Sequence, residues 1–168
     1  VDAAIAISDN ARQGLLEVAL YTERFFVYLA ESCWRKLPVF KPENLEHENM
    51  WIMRKAQCLR DSAFSFCKAR SKGHHIYEAG SIDTLIRIVD ENGGFTIIPE
   101  MHLPFLSDAQ RKNVRQIEGN YHSERRISLY IKDDYVRERM LNTITATLQR
   151  FMPQGMLTEG ILKHGIKL

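Results

Sequence analysis

The chain has 168 residues, 45% hydrophobic and 26% charged, which is the ordinary balance of a globular protein and enough for one domain with a sizeable core or two small lobes. A formal net charge of +2 is too small to argue for nucleic-acid binding by this segment. No apolar run approaches the roughly 18 residues that would span a membrane and no signal peptide is visible, so no membrane partner is expected. The sequence opens at Val1, inside an apolar run and without Met, and reads as a fragment.

Apolar runs alternate with helical patterns along the chain, as in α/β proteins. Residues 1–7, 15–21 and 25–30 read as strands. Residues 37–45 read as a loop with at most a turn of helix, and residues 50–53 as a short strand whose Met50, Trp51 and Met53 are core residues. A helix is expected over 58–67 and a strand over 75–78. Ser81 is placed to cap the next helix, its hydroxyl accepting an orphan backbone N–H. Ile82, Leu85, Ile86 and Val89 form one apolar stripe, and Asn92-Gly93-Gly94 end the helix with residues that tolerate positive φ. Phe95-Thr96-Ile97-Ile98 reads as a buried strand stopped by Pro99, with further strands over 114–118 and 127–131. Asp133-Asp134 introduces a last long helix, expected to turn Val136, Met140, Leu141, Ile144, Leu148 and Phe151 inward and to break at Pro153. No internal repeat or low-complexity segment is visible.

The candidate chemistry lies in Cys58 and Cys67, two of three cysteines. An odd, low count argues against a disulfide-framed secreted domain and fits a reducing, cytoplasmic compartment. Nine residues of helix rise about 13 Å and place two such side chains on opposite faces. A disulfide needs Cα atoms within about 7 Å. The pair therefore bonds only if the segment remodels, which is the logic of a redox switch. The bland alternative, two buried core cysteines, also fits the spacing, and Cys67 shares an apolar stripe with Leu59, Ala63 and Phe66. At a helix N-terminus the Cys58 thiol would ionise more readily, with Arg60 adding positive potential and Asp61 opposing it unless paired. Cys33 has no motif around it and reads as a packed or surface thiol. His74 and His75 are strand neighbours facing opposite ways, with no Cys or carboxylate at ligand spacing, so no metal is expected and no cofactor either. Lys68, Arg70 and Lys72, and likewise Arg111, Lys112 and Arg115, read as solvated faces.

The segment Gln57-Cys58-Leu59-Arg60-Asp61, with Phe66-Cys67 at its end, resembles the sensor segment of the hydrogen-peroxide-responsive members of the LysR-type transcriptional regulators. Ser81-Ile82-Asp83-Thr84-Leu85, followed by Asn92-Gly93-Gly94-Phe95-Thr96-Ile97-Ile98-Pro99, resembles the helix-turn-strand signature of LysR effector domains, and Arg125-Arg126-Ile127-Ser128-Leu129-Tyr130 the strand that returns to their first lobe. The resemblance covers nearly the whole chain. It implies an effector domain of two Rossmann-like lobes, similar to periplasmic binding proteins, with the second lobe complete and the first partial. Residues 1–20 would end the first lobe, 21–128 form the second lobe with the switch, and 129–168 return to the first. Cys58 would be the peroxidatic cysteine and Cys67 the resolving one, with Gln57, Arg60, Asp61 and Arg125 around the peroxide. The family pattern has His where this chain has Gln57, which hydrogen-bonds but exchanges no proton near neutral pH. The best register sets Ile76 opposite a second family histidine, so His74 and His75 take no role. The resemblance further implies a homodimer or homotetramer, DNA binding through an N-terminal winged helix-turn-helix absent from this sequence, contact with RNA polymerase, and resetting by a cytosolic disulfide reductant. It implies a regulator and not an enzyme. Two alternatives use the same residues differently: a thiol peroxidase turning over on the cysteine pair, and a LysR effector domain that binds a metabolite between its lobes.

Overall fold

The computed structural model describes residues 2–8, 14–34, 49–53, 74–77, 81–118, 124–132 and 138–157. The chain divides into two compact units, Val1–Glu23 with Arg125–Leu168, and Arg24–Glu124. Both passages from one unit to the other run through strand residues: one lies inside β2 (Leu15–Leu29), the other at the start of β7 (Glu124–Lys132).

In the first unit β1 (Ala3–Ile7) pairs antiparallel with β7, Ala3 opposite Ile131 and Ile7 opposite Ile127, and β7 lies between β1 and β2. The final helix, named α4 below, spans Glu138–Phe151. Its Leu141 is fully buried and meets Leu20, Leu129 and Ile131, with Val18, Tyr21 and Leu148 around them. Each such side chain removed from water contributes about 1.5–3 kcal/mol.

The second unit is built on the other half of β2. Phe25-Phe26-Val27-Tyr28-Leu29 is buried throughout, in one core with Cys33, Ile86, Val89, Ile98 and Leu106. It pairs antiparallel with β5 (Phe95–Pro99) and with β6 (Val114–Gln116). Beyond β5 come β3 (Met50–Met53) and β4 (His74–Tyr77), paired parallel to each other. Parallel strands buried on both faces need apolar runs, which is what Phe95-Thr96-Ile97-Ile98 supplies; the one hydroxyl in it donates to Trp51 O at 2.7 Å.

The helix α2 (Ile82–Asn92) forms as its sequence predicts. Ser81 Oγ accepts the Thr84 N–H at 3.3 Å, and Leu85, Ile86 and Val89 are buried. Gly93 at φ 76° and Gly94 at φ 82° then turn the chain into β5. Gly94 has a second reason to be glycine, since a Cβ there would sit 2.1 Å from Asn49 O. That close approach lets Phe95 N–H donate to Asn49 O at 2.9 Å and Ala30 N–H to Gly94 O at 2.9 Å. The Trp51 indole N–H reaches Gly93 O, also at 2.9 Å.

Several expectations are corrected. Residues 15–21 and 25–30 are one strand, β2, because Thr22-Glu23-Arg24 stays extended and its charges find partners. Two short helices follow where none was read: α1 (Glu31–Trp34), which buries Cys33, and α3 (Asp108–Arg111), closed by a reciprocal Ser107–Gln110 capping box. A 3-10 turn, Glu100–Phe105, precedes α3. In α4 the inward face is Leu141, Thr145 and Leu148, while Met140, Ile144 and Phe151 are 44%, 36% and 75% exposed. Successive residues turn 100°, so the Leu141 stripe and the Met140 stripe lie side by side and only one meets β7. Arg111 is more than a solvated cation: its guanidinium donates to Leu106 O at 3.2 Å and Pro104 O at 3.4 Å. Residues 37–45 and 58–67, with Val136, lie outside the described residues.

Candidate functional site

Arg125 is the predicted site residue that the described structure contains; Gln57, Cys58, Arg60, Asp61 and Cys67 lie outside the described residues. Arg125 stands one residue into β7, and its partner is Glu23 on β2. Arg125 Nε donates to Glu23 Oε2 at 2.7 Å, and Nη2 lies 2.7 Å from the same oxygen. Glu23 is 1% exposed. Charge-assisted bonds of this length are strong, yet burying both charges costs solvation, so the pair is a weak source of stability and a strong source of orientation. Tyr21 lies two positions before Glu23, on the same side of the strand. Burial, then the nearby Glu23 charge, holds the Tyr21 hydroxyl proton more tightly than usual, with Arg125 acting the other way.

Sequence reading missed Glu23. The signal was present: a charged residue inside an otherwise apolar run must be paired if the run is a strand. Its partner is 102 positions away, beyond the reach of local periodicity.

The next residue, Arg24, is tied within the second unit. Its Nε and Nη2 reach Glu100 at 3.0 and 2.7 Å, a two-pronged pair, and its guanidinium lies 5.7 Å from the Phe26 ring centroid. The bond from Arg24 holds the Glu100 carboxyl below its usual range against a smaller effect of burial, and the Arg24 guanidinium is correspondingly harder to deprotonate.

A polar group sits on the first unit's sheet. Glu17 accepts hydrogen bonds from Ser8 and from Ser128, the latter at 2.7 Å. Burial pushes Glu17 upward, but these hydroxyls, the Arg126 charge and Tyr130 together outweigh it, and its carboxyl ionises more readily than usual. In the second unit Tyr28 donates to Asp90 at 2.6 Å and accepts from Asn113 at 3.2 Å, and burial first, then Asp90, raises its hydroxyl far above the normal range. A groove of about 560 Å³ in that unit is lined by Phe26, Leu103, Pro104, Arg111, Val114 and Gln116, none of them a predicted site residue. Among the described residues no three His, Cys, Asp or Glu side chains gather as metal ligands, and no helix is long and apolar enough to cross a membrane.

Residues 1–153 match the LysR substrate binding domain, and the chain belongs to that family. Among curated relatives it is similar to the hydrogen peroxide-inducible genes activator of Haemophilus influenzae, 28% identical over 119 residues, which cover 70% of this chain and 39% of the relative. It is also similar to the DNA-binding transcriptional dual regulator OxyR of Escherichia coli, 26% identical over 106 residues, 62% of this chain and 35% of the relative. The chain thus spans well under half the length of these relatives. Among solved structures, OxyR from Porphyromonas gingivalis superposes with a TM-score of 0.79 at 26% identity, covering 94% of this chain and 73% of that one. The expected class, a LysR-type effector domain of mixed α/β architecture resembling peroxide-responsive regulators, is therefore met.

Proposed function

We propose that this chain is the peroxide-sensing regulatory domain of a LysR-type transcriptional activator, with Cys58 and Cys67 as its switch. The observation that carries the reading is the segment Gln57-Cys58-Leu59-Arg60-Asp61, ending in Phe66-Cys67, in a LysR-family chain whose relatives are named as peroxide-inducible activators. The Cys58 thiolate attacks one oxygen of hydrogen peroxide. The O–O bond breaks, hydroxide leaves and takes a proton to become water, and Cys58 keeps the other oxygen as a sulfenic acid. The Cys67 thiolate then attacks that sulfur, the S–O bond breaks, and the sulfenic hydroxyl leaves with a proton as water. The resulting disulfide fits only a remodelled 58–67 segment, so oxidation shifts the population between two forms of the domain. Two electrons from a cytosolic dithiol restore both thiols. Gln57, Arg60, Asp61 and Arg125 form the peroxide pocket in this reading, the two guanidinium groups favouring the thiolate and the leaving hydroxide.

In this reading residues 21–128 are the second lobe and carry the switch, while residues 1–20 and 129–168 belong to the first; the compact units divide at nearby positions, between Glu23 and Arg24 and between Glu124 and Arg125. The complete regulator reads DNA through an N-terminal winged helix-turn-helix, assembles as a homodimer or homotetramer in the cytoplasm, and answers oxidation by changing its packing and its contact with RNA polymerase. The cysteines act as a switch thrown once per signal rather than as a turnover centre.

The test is peptide mass mapping with thiols blocked at short times after near-stoichiometric peroxide, paired with scattering profiles of the same samples. A Cys58–Cys67 crosslinked peptide with Cys33 free, and a changed profile, are the expected results. Sustained peroxide turnover with a reductant would turn the reading toward a peroxidase. A ligand response that survives Cys58→Ser would turn it toward a metabolite sensor.

A further inference from the structure

The groove of about 560 Å³ lies wholly within the second unit: Phe26, Val114 and Gln116 come from its sheet, Leu103 and Pro104 from the 3-10 turn, and Arg111 from α3. The strand register explains the floor. Phe26 stands opposite Gln116 across the β2–β6 ladder, and Val114 lies two positions before Gln116, so the three share one face of the sheet. A volume in the range of about 300–1,000 Å³, mostly apolar walls and a few polar groups suit a small molecule.

The polar groups decide which molecule. The Arg111 guanidinium is anchored along one edge, Nε to Leu106 O at 3.2 Å and Nη2 to Pro104 O at 3.4 Å. That leaves both N–H groups of Nη1 and one of Nη2 without a partner among the described residues. They form the end of the group, the fork that meets a carboxylate with two parallel bonds. An anchored guanidinium gives up little freedom when it takes such a ligand. Gln116 is exposed, and its side-chain amide has no partner among the described residues either. No carboxylate is among the six lining residues. Glu100, linked to Phe26 through Arg24, is already bound by the Arg24 guanidinium at 3.0 and 2.7 Å. The groove therefore presents one cation with free donors beside an apolar floor.

We propose that this groove binds a small organic carboxylate with an apolar body. The carboxylate sits on the free end of Arg111 with the Gln116 amide donating beside it, and the body lies along Phe26, Leu103, Pro104 and Val114. The site uses no cysteine and stands independently of the peroxide reading. Its occupant would touch the 3-10 turn, α3 and the sheet at once, and so act on the domain as a second input.

The experiment is saturation-transfer NMR on the full-length protein with hexanoate as the probe. Hexanamide keeps the body and loses the charge; acetate keeps the charge and loses the body. Saturable binding of hexanoate at millimolar concentration or below, with neither companion saturating there, is the expected result. Because Gln116 is exposed, a charge placed on it stays in water and spares the fold. Gln116→Glu is expected to weaken hexanoate about fivefold and Gln116→Lys to tighten it by a similar factor. Equal affinity for hexanamide overturns the carboxylate recognition, and equal affinity for acetate overturns the apolar floor. Hexanoate binding unmoved by either Gln116 change puts the molecule elsewhere and overturns the site. No saturable binding at tens of millimolar overturns the proposal outright. None of these outcomes touches Cys58 oxidation, so the peroxide reading stands or falls separately.

Discussion

The Glu23–Arg125 pair is asymmetric: Glu23 is 1% exposed, whereas the Arg125 side chain keeps 19% of its surface in water. Removing the cation therefore strips a buried carboxylate of an ion pair, which costs more than the intact pair gives. Glycines impose an all-or-none demand at the end of α2. At Gly94 the demand is double: φ of 82°, and Asn49 O at 2.1 Å from where a Cβ would stand. At Gly93 only the backbone conformation matters, since nothing lies within 4 Å. Gly94→Ala is therefore expected to destabilise the chain by more than about 3 kcal/mol, and Gly93→Ala by about 1–3 kcal/mol. Urea midpoints of the two variants test this, and equal losses would mean that the Asn49 contact yields freely. The glycine pair was legible in sequence because Asn92-Gly93-Gly94 follows an apolar stripe directly. The contact with Asn49, 45 positions away, was not.

At the scale of elements, local signals were readable and long-range ones were not. The helix α2 announces itself through one cap, one stripe and one stop, all between Ser81 and Gly94. The capping box of α3, Ser107 with Gln110, is equally local, but its four-residue helix is too short to carry an apolar stripe that would announce it. Strand β2 was broken in two at Thr22-Glu23-Arg24, because polar residues end a strand unless something distant neutralises them; Arg125 and Glu100 do so. For α4 the sequence offers two adjacent apolar stripes, and only the fold decides between them. Leu141→Ala should cost about 2–5 kcal/mol, whereas Phe151→Ala, at 75% exposure, should stay within about 0.5 kcal/mol of the parent chain. Denaturant curves settle it; a large loss at Phe151 would show that the exposed stripe is covered. As for the site, Cys58, Cys67, Gln57, Arg60 and Asp61 rest on motif resemblance, and Arg125 alone among them has a described environment, in which Glu23 pairs with it.

The pH dependence of stability belongs to the whole molecule, since groups from both units contribute in the same sense. Glu17 and Glu100 ionise more readily when folded than when unfolded. Their contribution is complete above the ordinary glutamate value of about 4.3 and fades as pH falls below it. Tyr21 and Tyr28 hold their protons more tightly when folded. Their contribution is complete below the ordinary tyrosine value of about 10 and fades as pH rises beyond it. Stability is thus expected to form a plateau between about pH 5 and pH 9.5 with losses on both sides. A urea midpoint that stays level through pH 10 to 11 would count against the buried tyrosines as its alkaline limit.

Both passages between the compact units are made of strand, and each has an arginine at the joint: Arg24 in β2 and Arg125 in β7. These are the side chains that trypsin must draw into its specificity pocket. Each guanidinium is already committed, one to Glu100 and the other to Glu23, and the backbone around it is held in a ladder rather than in a loop that can be pulled into a cleft. At the joints of this molecule, where a two-part protein is ordinarily cut apart, a digestive enzyme meets strand in place of loop, and cleavage there is expected to be slow.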